Sequence, residues 1–154
     1  MQAFVMEIPL ALGILGGLFW SRRTGWNCGG LITPGLLALY SDAPLSCLYS
    51  IMIGVFLAPV LNLIVRHGRL YGRERIGSAM LLALAVRCLW MHLFPSVGDA
   101  VPLWLGWVVP GLLAADIQRQ GLGITLAGAI SVAIAAAFAS SLIAECLIFV
   151  ETLF

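Results

Sequence analysis

The longest uncharged stretches limit what this chain can fold into. Residues 24–41, 43–65, 100–115 and 120–144 contain no Asp, Glu, Lys or Arg, and two of them exceed the roughly 20 residues that carry an α-helix across a bilayer. Only 10% of the 154 residues are charged and 62% are hydrophobic, against roughly a quarter charged in soluble domains. This is the pattern of an all-α polytopic membrane protein, read as a single integral membrane domain over 1–154. Candidate segments lie near 3–21, 29–41, 45–65, 76–95, 103–116 and 122–148. Arg22 and Arg23 follow the first apolar segment rather than precede it. That order is the reverse of a cleavable signal peptide, so 3–21 is expected to remain as a helix.

Two of the six segments, 29–41 and 103–116, are too short to cross as plain helix, since 13 helical residues rise only about 20 Å through a core of about 30 Å. Both carry a Pro-Gly pair. GLITPGLLA from Gly30 to Ala38 aligns with GWVVPGLLA from Gly106 to Ala114 at an offset of 76 residues, about half the chain, the signature of an internal duplication. Each copy sits between an apolar segment and a long uncharged one, with halves at about 1–70 and 76–154. Three crossings per half would place the copies as inverted-topology repeats, each with a short Pro-Gly-broken helix. Because a residue before proline is biased away from the α region, Thr33 and Val109 are expected to be extended, with Pro34 and Pro110 opening half-helices. A packing kink is the plain alternative.

All eight basic residues besides histidine are arginine, for a net charge of +1. Arg22 and Arg23 follow the first segment, Arg66, Arg69, Arg73 and Arg75 crowd the stretch around HGRLYGRER, and Arg119 follows the fifth segment, whereas Asp42 and Asp99 lie in the other connections. Six crossings put these arginines on one side, which the positive-inside rule makes cytoplasmic; re-entrant short segments would not. Arg87 falls within the fourth segment, where a charge is expensive unless it meets Asp116, Glu145 or a bound anion. Half-helix N-termini attract anions, so Thr33, Pro34, Gly35, Arg87, Pro110 and Gly111 are the expected anion path. Arg22, Arg23, Arg69, Arg73, Arg75, Asp116, Gln118, Arg119 and Gln120 are the expected contacts to a soluble partner, a solvated turn at 115–121 being the alternative. Gly13 and Gly17 form a G-x-x-x-G, and small residues fill 122–148; both suit close helix approach, within the chain or between copies.

Catalytic machinery is not legible. Cys28, Cys47, Cys88 and Cys146 are scattered through apolar segments without metal spacing, and no metal site is expected. A chain without lysine cannot form a Walker-type phosphate loop.

The order RRTGWNCGGLITPG, then YGRER at Tyr71–Arg75, then VPGLLAADIQRQG from Val109 to Gly121 resembles the CapC/PgsC family, the small membrane subunit of bacterial poly-γ-glutamate synthase. The resemblance covers nearly the whole chain. It implies a multi-pass protein of the bacterial plasma membrane that serves capsule synthesis in a ligase complex. Its partners would be a cytoplasmic CapB/PgsB-like ATP-dependent amide ligase, which would hold ATP and Mg, and a CapA/PgsA-like extracytoplasmic subunit. This chain would hold no cofactor and would support γ-linked glutamate polymerisation and polymer export. The competing readings are a free-standing small-anion transporter or channel, and an anchor that only recruits the ligase.

Overall fold

The computed structural model describes residues 2–41, 43–68, 72–93 and 108–153. Asp42, Arg69, Tyr71, Asp99 and Gly106 lie outside them, as does the side chain of Arg73. Among the described residues all regular secondary structure is helical: α1 (Gln2–Thr24), α2 (Thr33–Leu39), α3 (Pro44–Gly68), α4 (Arg73–Leu93), α5 (Val108–Gln120) and α6 (Leu122–Leu153). Each expected segment contains one helix. The stretches 44–68, 74–93 and 122–146 are long and apolar enough to cross a membrane, whereas the 7 residues of α2 rise only about 10 Å.

The Pro-Gly segments differ from expectation at one point. Thr33 is not extended: it is the first residue of α2, preceded by Ile32 in the right-handed helical region, and Val109 is the second residue of α5. The reason is position. Pro34 and Pro110 sit in first turns, where backbone N–H groups have no intrahelical acceptor and a missing donor costs nothing. Thr33 offsets its pre-proline bias by donating its hydroxyl to the Gly29 carbonyl. The irregular backbone lies upstream instead, over residues 25–32.

Connectivity and hydrogen bonds fix which helix ends meet. Asn27, just after α1, bonds Gln120 at the end of α5; Arg75, in the first turn of α4, bonds Gln118. The first turn of α6 follows at once, and the last turn of α3 lies within a few residues of α4. The C-terminal ends of α1, α3 and α5 and the N-terminal ends of α4 and α6 therefore share one end of the bundle. Arg22, Arg23, Arg66, Arg75 and Arg119 gather there.

Helix α5 is central, packing on α3, α4, α6 and α2, while α2 fills the corresponding place between α1 and α6. The core joins Leu57 and Leu61 of α3, Ala79 and Ala83 of α4, Val109, Leu113 and Ala114 of α5, and Ala129 and Ala133 of α6. Small residues set the closest approaches. A Cβ on Gly13 would lie 2.1 Å from the Gly35 Cα, and one on Gly35 would lie 2.7 Å from the Leu10 carbonyl oxygen, so α1 and α2 touch backbone to backbone. Gly17 faces Cys28 and Leu31; the G-x-x-x-G face is thus spent inside the chain. Gly111 approaches Ala79 and Met80 in the same manner, less tightly. Each Pro-Gly glycine packs on the first helix of its own half.

The outer surface is apolar. Leu15, Phe19, Phe56, Leu81 and Phe138 are exposed, a surface suited to lipid contact, with Trp26 exposed beyond α1 and Tyr40 at the close of α2, aromatic types that favour membrane interfaces. Arg23 stacks 5.8 Å from the Phe19 ring centroid, keeping its charge at the helix end.

Candidate functional site: a polar latch at the arginine-bearing end

The loop between α1 and α2 is held by α5 through a polar network. Asp116 and Gln120 are four residues apart, one helical turn, so both side chains leave the same face of α5. Asp116 is 8% exposed. Its Oδ2 accepts from the Gly30 backbone N–H at 2.7 Å and its Oδ1 from the Asn27 side-chain amide at 3.2 Å. Gln120 acts as a surrogate peptide group: Oε1 accepts from the Asn27 N–H at 2.9 Å, and Nε2 donates to the Asn27 carbonyl. Its second amide hydrogen reaches the Thr125 Oγ1 at 3.0 Å, and Thr125 donates to the Gly121 carbonyl at 2.8 Å. Irregular backbone near a bilayer must be satisfied by protein, and the latch does this for both backbone groups of Asn27 and for the Gly30 N–H.

Glycine makes the loop's shape available. Gly29 and Gly30 have φ of 77° and 89°, in the left-handed region that other residues enter only at a cost. Added Cβ atoms would lie 2.6 Å from a Leu113 methyl and 3.1 Å from a Leu112 methyl. The Gly-Gly turn thus rides on two leucines of α5 while Asp116 and Gln120 hold its polar groups.

Beside the latch, Arg75 is half-buried and its Nη1 donates to the Gln118 Oε1 at 3.3 Å. Its Nε is buried with no acceptor among the described residues. Arg119, Arg22, Arg23 and Arg66 are exposed on the same end, with Glu74 the exposed acid in the first turn of α4.

The structure divides the sequence-derived residues into three sets. Asp116 and Gln120 point inward to the latch, and 115–120 is helix, not a solvated turn. Thr33, Pro34, Gly35, Pro110 and Gly111 are buried in helix contacts. Arg87 is half-buried on α4, twelve residues and so about 18 Å of helix beyond Arg75. Asp116 sits near the level of Arg75 and is occupied by Asn27 and Gly30, so it is not Arg87's counter-charge; Glu145 is exposed on α6. Asn27, Gly29, Gly30 and Thr125 were not singled out by sequence. The signal for them was the i, i+4 pair Asp116 and Gln120 on an otherwise apolar helix, which demands a polar target on one face.

Replacing Gln120 with leucine leaves both backbone groups of Asn27 without partners and is expected to lower the thermal midpoint of the purified chain by several degrees, corresponding to about 1–3 kcal/mol. An unchanged midpoint in a detergent-solubilised melt would show that water can replace Gln120.

Comparison with known proteins places this arrangement. The family model described as capsule biosynthesis CapC matches residues 12–126, a stretch running from just before Gly13 to just after Thr125. The chain belongs to the CapC family. Among curated members of CapC, it is 31% identical over 124 residues to the capsule biosynthesis protein CapC of Bacillus anthracis, covering 79% of this chain and 83% of the relative. It is also 31% identical over 127 residues to the PGA biosynthesis protein CapC of Bacillus subtilis (strain 168), covering 78% and 83%. No solved structure matches the chain. The CapC match includes both sides of the latch and the Gly13–Gly35 contact.

Proposed function

We propose that this chain is the membrane subunit of a poly-γ-glutamate capsule synthase. It supports polymerisation by a cytoplasmic CapB/PgsB-like ligase that supplies ATP and Mg chemistry, and works with a CapA/PgsA-like extracytoplasmic subunit. The observation that carries the reading is membership of the CapC family, whose curated relatives are named for capsule and PGA biosynthesis. The gathering of the arginines at one end supports the orientation: by the positive-inside rule that end faces the cytoplasm. The exposed Arg22, Arg23, Arg119 and the Arg69 and Arg73 region then meet the ligase.

In this reading the chain crosses six times, with the 25–41 stretch crossing as loop plus short helix, and the halves are inverted repeats. The matching positions of α2 and α5, each packed through its Pro-Gly glycine on the first helix of its half, support the repeat. Export of the polymer takes place beside the Pro-Gly segments. Pro34, Gly35, Pro110 and Gly111 shape the path by fixing helix positions, and Arg87 supplies the charge within the membrane that attracts carboxylates.

The decisive assay is ATP-dependent incorporation of labelled glutamate into polymer by membranes holding the partner ligase, with and without this chain. Polymer that forms only when both are present is the expected result. Equal polymer without the chain would overturn the synthase reading and leave an anion carrier as the better one.

A further inference from the structure

The seam between α1 and α6 is open toward the surface. The two helices meet along a line of small residues: a Cβ on Gly16 would lie 2.9 Å from a Val132 methyl, and one on Gly128 would lie 3.1 Å from the Trp20 Nε1. Val132 and Ala136 are buried along this line, while Leu15 and Phe19 of α1 and Ser131 and Ala135 of α6 stay exposed on either side. Between them runs a groove of about 500 Å³, from Trp20 and Ser131 nearest the arginine-bearing end to Leu12 and Ala139. The α6 wall is low because its exposed residues end at Cβ or Oγ, whereas leucine and phenylalanine raise the α1 wall. The Ser131 hydroxyl donates to the Gly128 carbonyl at 3.2 Å, which leaves an apolar lining.

Length selects the occupant. Leu12 to Trp20 is eight residues, about 12 Å of helix, against half of a roughly 30 Å hydrocarbon core for one leaflet. A helix from a second copy would need a face along the whole core, whereas one acyl chain of one leaflet needs only this much. Charge selects the headgroup. Arg23 lies four residues beyond Phe19 and Arg22 seven beyond Leu15, so both stand over the α1 wall, about 5–6 Å outward of Phe19. The Arg23 guanidinium is 5.8 Å from the Phe19 ring centroid, which places it at the mouth of the groove. Exposed Trp26 follows, an aromatic that favours headgroup depth. Across the mouth, the first turn of α6 carries no acidic residue.

We infer that the α1–α6 groove holds one acyl chain of an anionic phospholipid whose phosphate pairs with Arg22 and Arg23. Guanidinium groups suit phosphate oxygens through paired hydrogen bonds, and the groove adds a chain contact that arginines on a smooth helix lack. The inference goes beyond the synthase reading and does not depend on it. The site needs only that the arginine-bearing end lie at a membrane surface.

The test uses the full chain, purified in mild non-ionic detergent with equal amounts of phosphatidylglycerol and phosphatidylcholine bearing the same chains. Native mass spectrometry reads which lipid stays bound. Retention of phosphatidylglycerol in preference to phosphatidylcholine is expected. Arg22→Gln combined with Arg23→Gln should cut its affinity roughly thirtyfold, about fivefold per arginine. Arg66→Gln, on α3 at the same end but away from the seam, should leave it unchanged. Ala135→Phe fills the groove from an exposed position and should displace the lipid. Where that variant does not assemble, wild type decides by fluorescence in nanodiscs: phosphatidylglycerol brominated on its chains should quench tryptophan emission more than brominated phosphatidylcholine does, and the double arginine variant should remove the difference. Equal retention of the two lipids would overturn the site, as would an equal loss in Arg66→Gln. Unchanged retention by Ala135→Phe would reduce it to headgroup attraction without a groove, and lipid-free dimers would give the groove to a second copy; either result also overturns it.

Discussion

The variant Gly13→Ala is expected to lose most of its folded, membrane-inserted population. The added methyl would sit 2.1 Å from the Gly35 Cα and 2.4 Å from the Gly35 nitrogen. Both are backbone atoms, so no rotamer change relieves the overlap, and α1 must separate from α2. Overpacking in a core costs about 1–3 kcal/mol when side chains can yield; here the opposing atoms cannot, so the cost lies at or above that range. Separation also disturbs Gly17 against Cys28 and the entry into α2. Fluorescence-detected size exclusion of a tagged chain measures the outcome. Gly123→Ala is the control, because nothing lies within 4 Å of its added carbon. A Gly13→Ala chain that elutes and melts like wild type would mean that α1 and α2 are not in backbone contact.

Asp116→Leu is expected to have the second-largest effect. It removes the acceptor for the Gly30 N–H and for the Asn27 amide together. Each buried donor left unmade costs about 1–3 kcal/mol, with more at stake because the acceptor is charged. The loss compares with the whole stability of a small domain, about 5–15 kcal/mol. Asp116→Asn retains one acceptor oxygen but turns an NH₂ toward a donor, and should fall between leucine and wild type. The comparison is made by thermal melts and by glutamate incorporation with the ligase present. Loss of incorporation without loss of melting temperature would give Asp116 a role beyond the latch. Equal melting of all three proteins would remove the latch as a source of stability.

Local chemistry made most of the fold legible in the sequence. Apolar runs between polar interruptions located the six helices of the described residues, because a bilayer demands length and apolarity that few other structures need. The Pro-Gly motif marked α2 and α5 as short for the same reason. The conformation of Thr33 was read wrongly: the restriction before proline is a bias, and a first-turn position with a hydroxyl bonded to Gly29 outweighs it. The latch was not legible in its partners. Asp116 and Gln120 stood out as polar residues on an apolar helix, but their targets lie 86 to 93 residues away, and three of those targets are backbone groups that carry no sequence identity. A buried Asp and an exposed Arg119 three residues later look alike in a sequence; only the facing of α5 separates them.

The latch also sets an order of assembly. A membrane protein is delivered N-terminus first, and at about 5–20 residues per second the 93 residues between Asn27 and Gln120 take roughly 5–20 s to synthesise. During that interval α1 can insert, but the turn at Gly29 and Gly30 has no carboxylate or amide to hold it and α2 has no α6 beside it. The first half of the chain therefore waits for α5, and closure of the N-terminal loop reports that synthesis has passed Asp116 and Gln120.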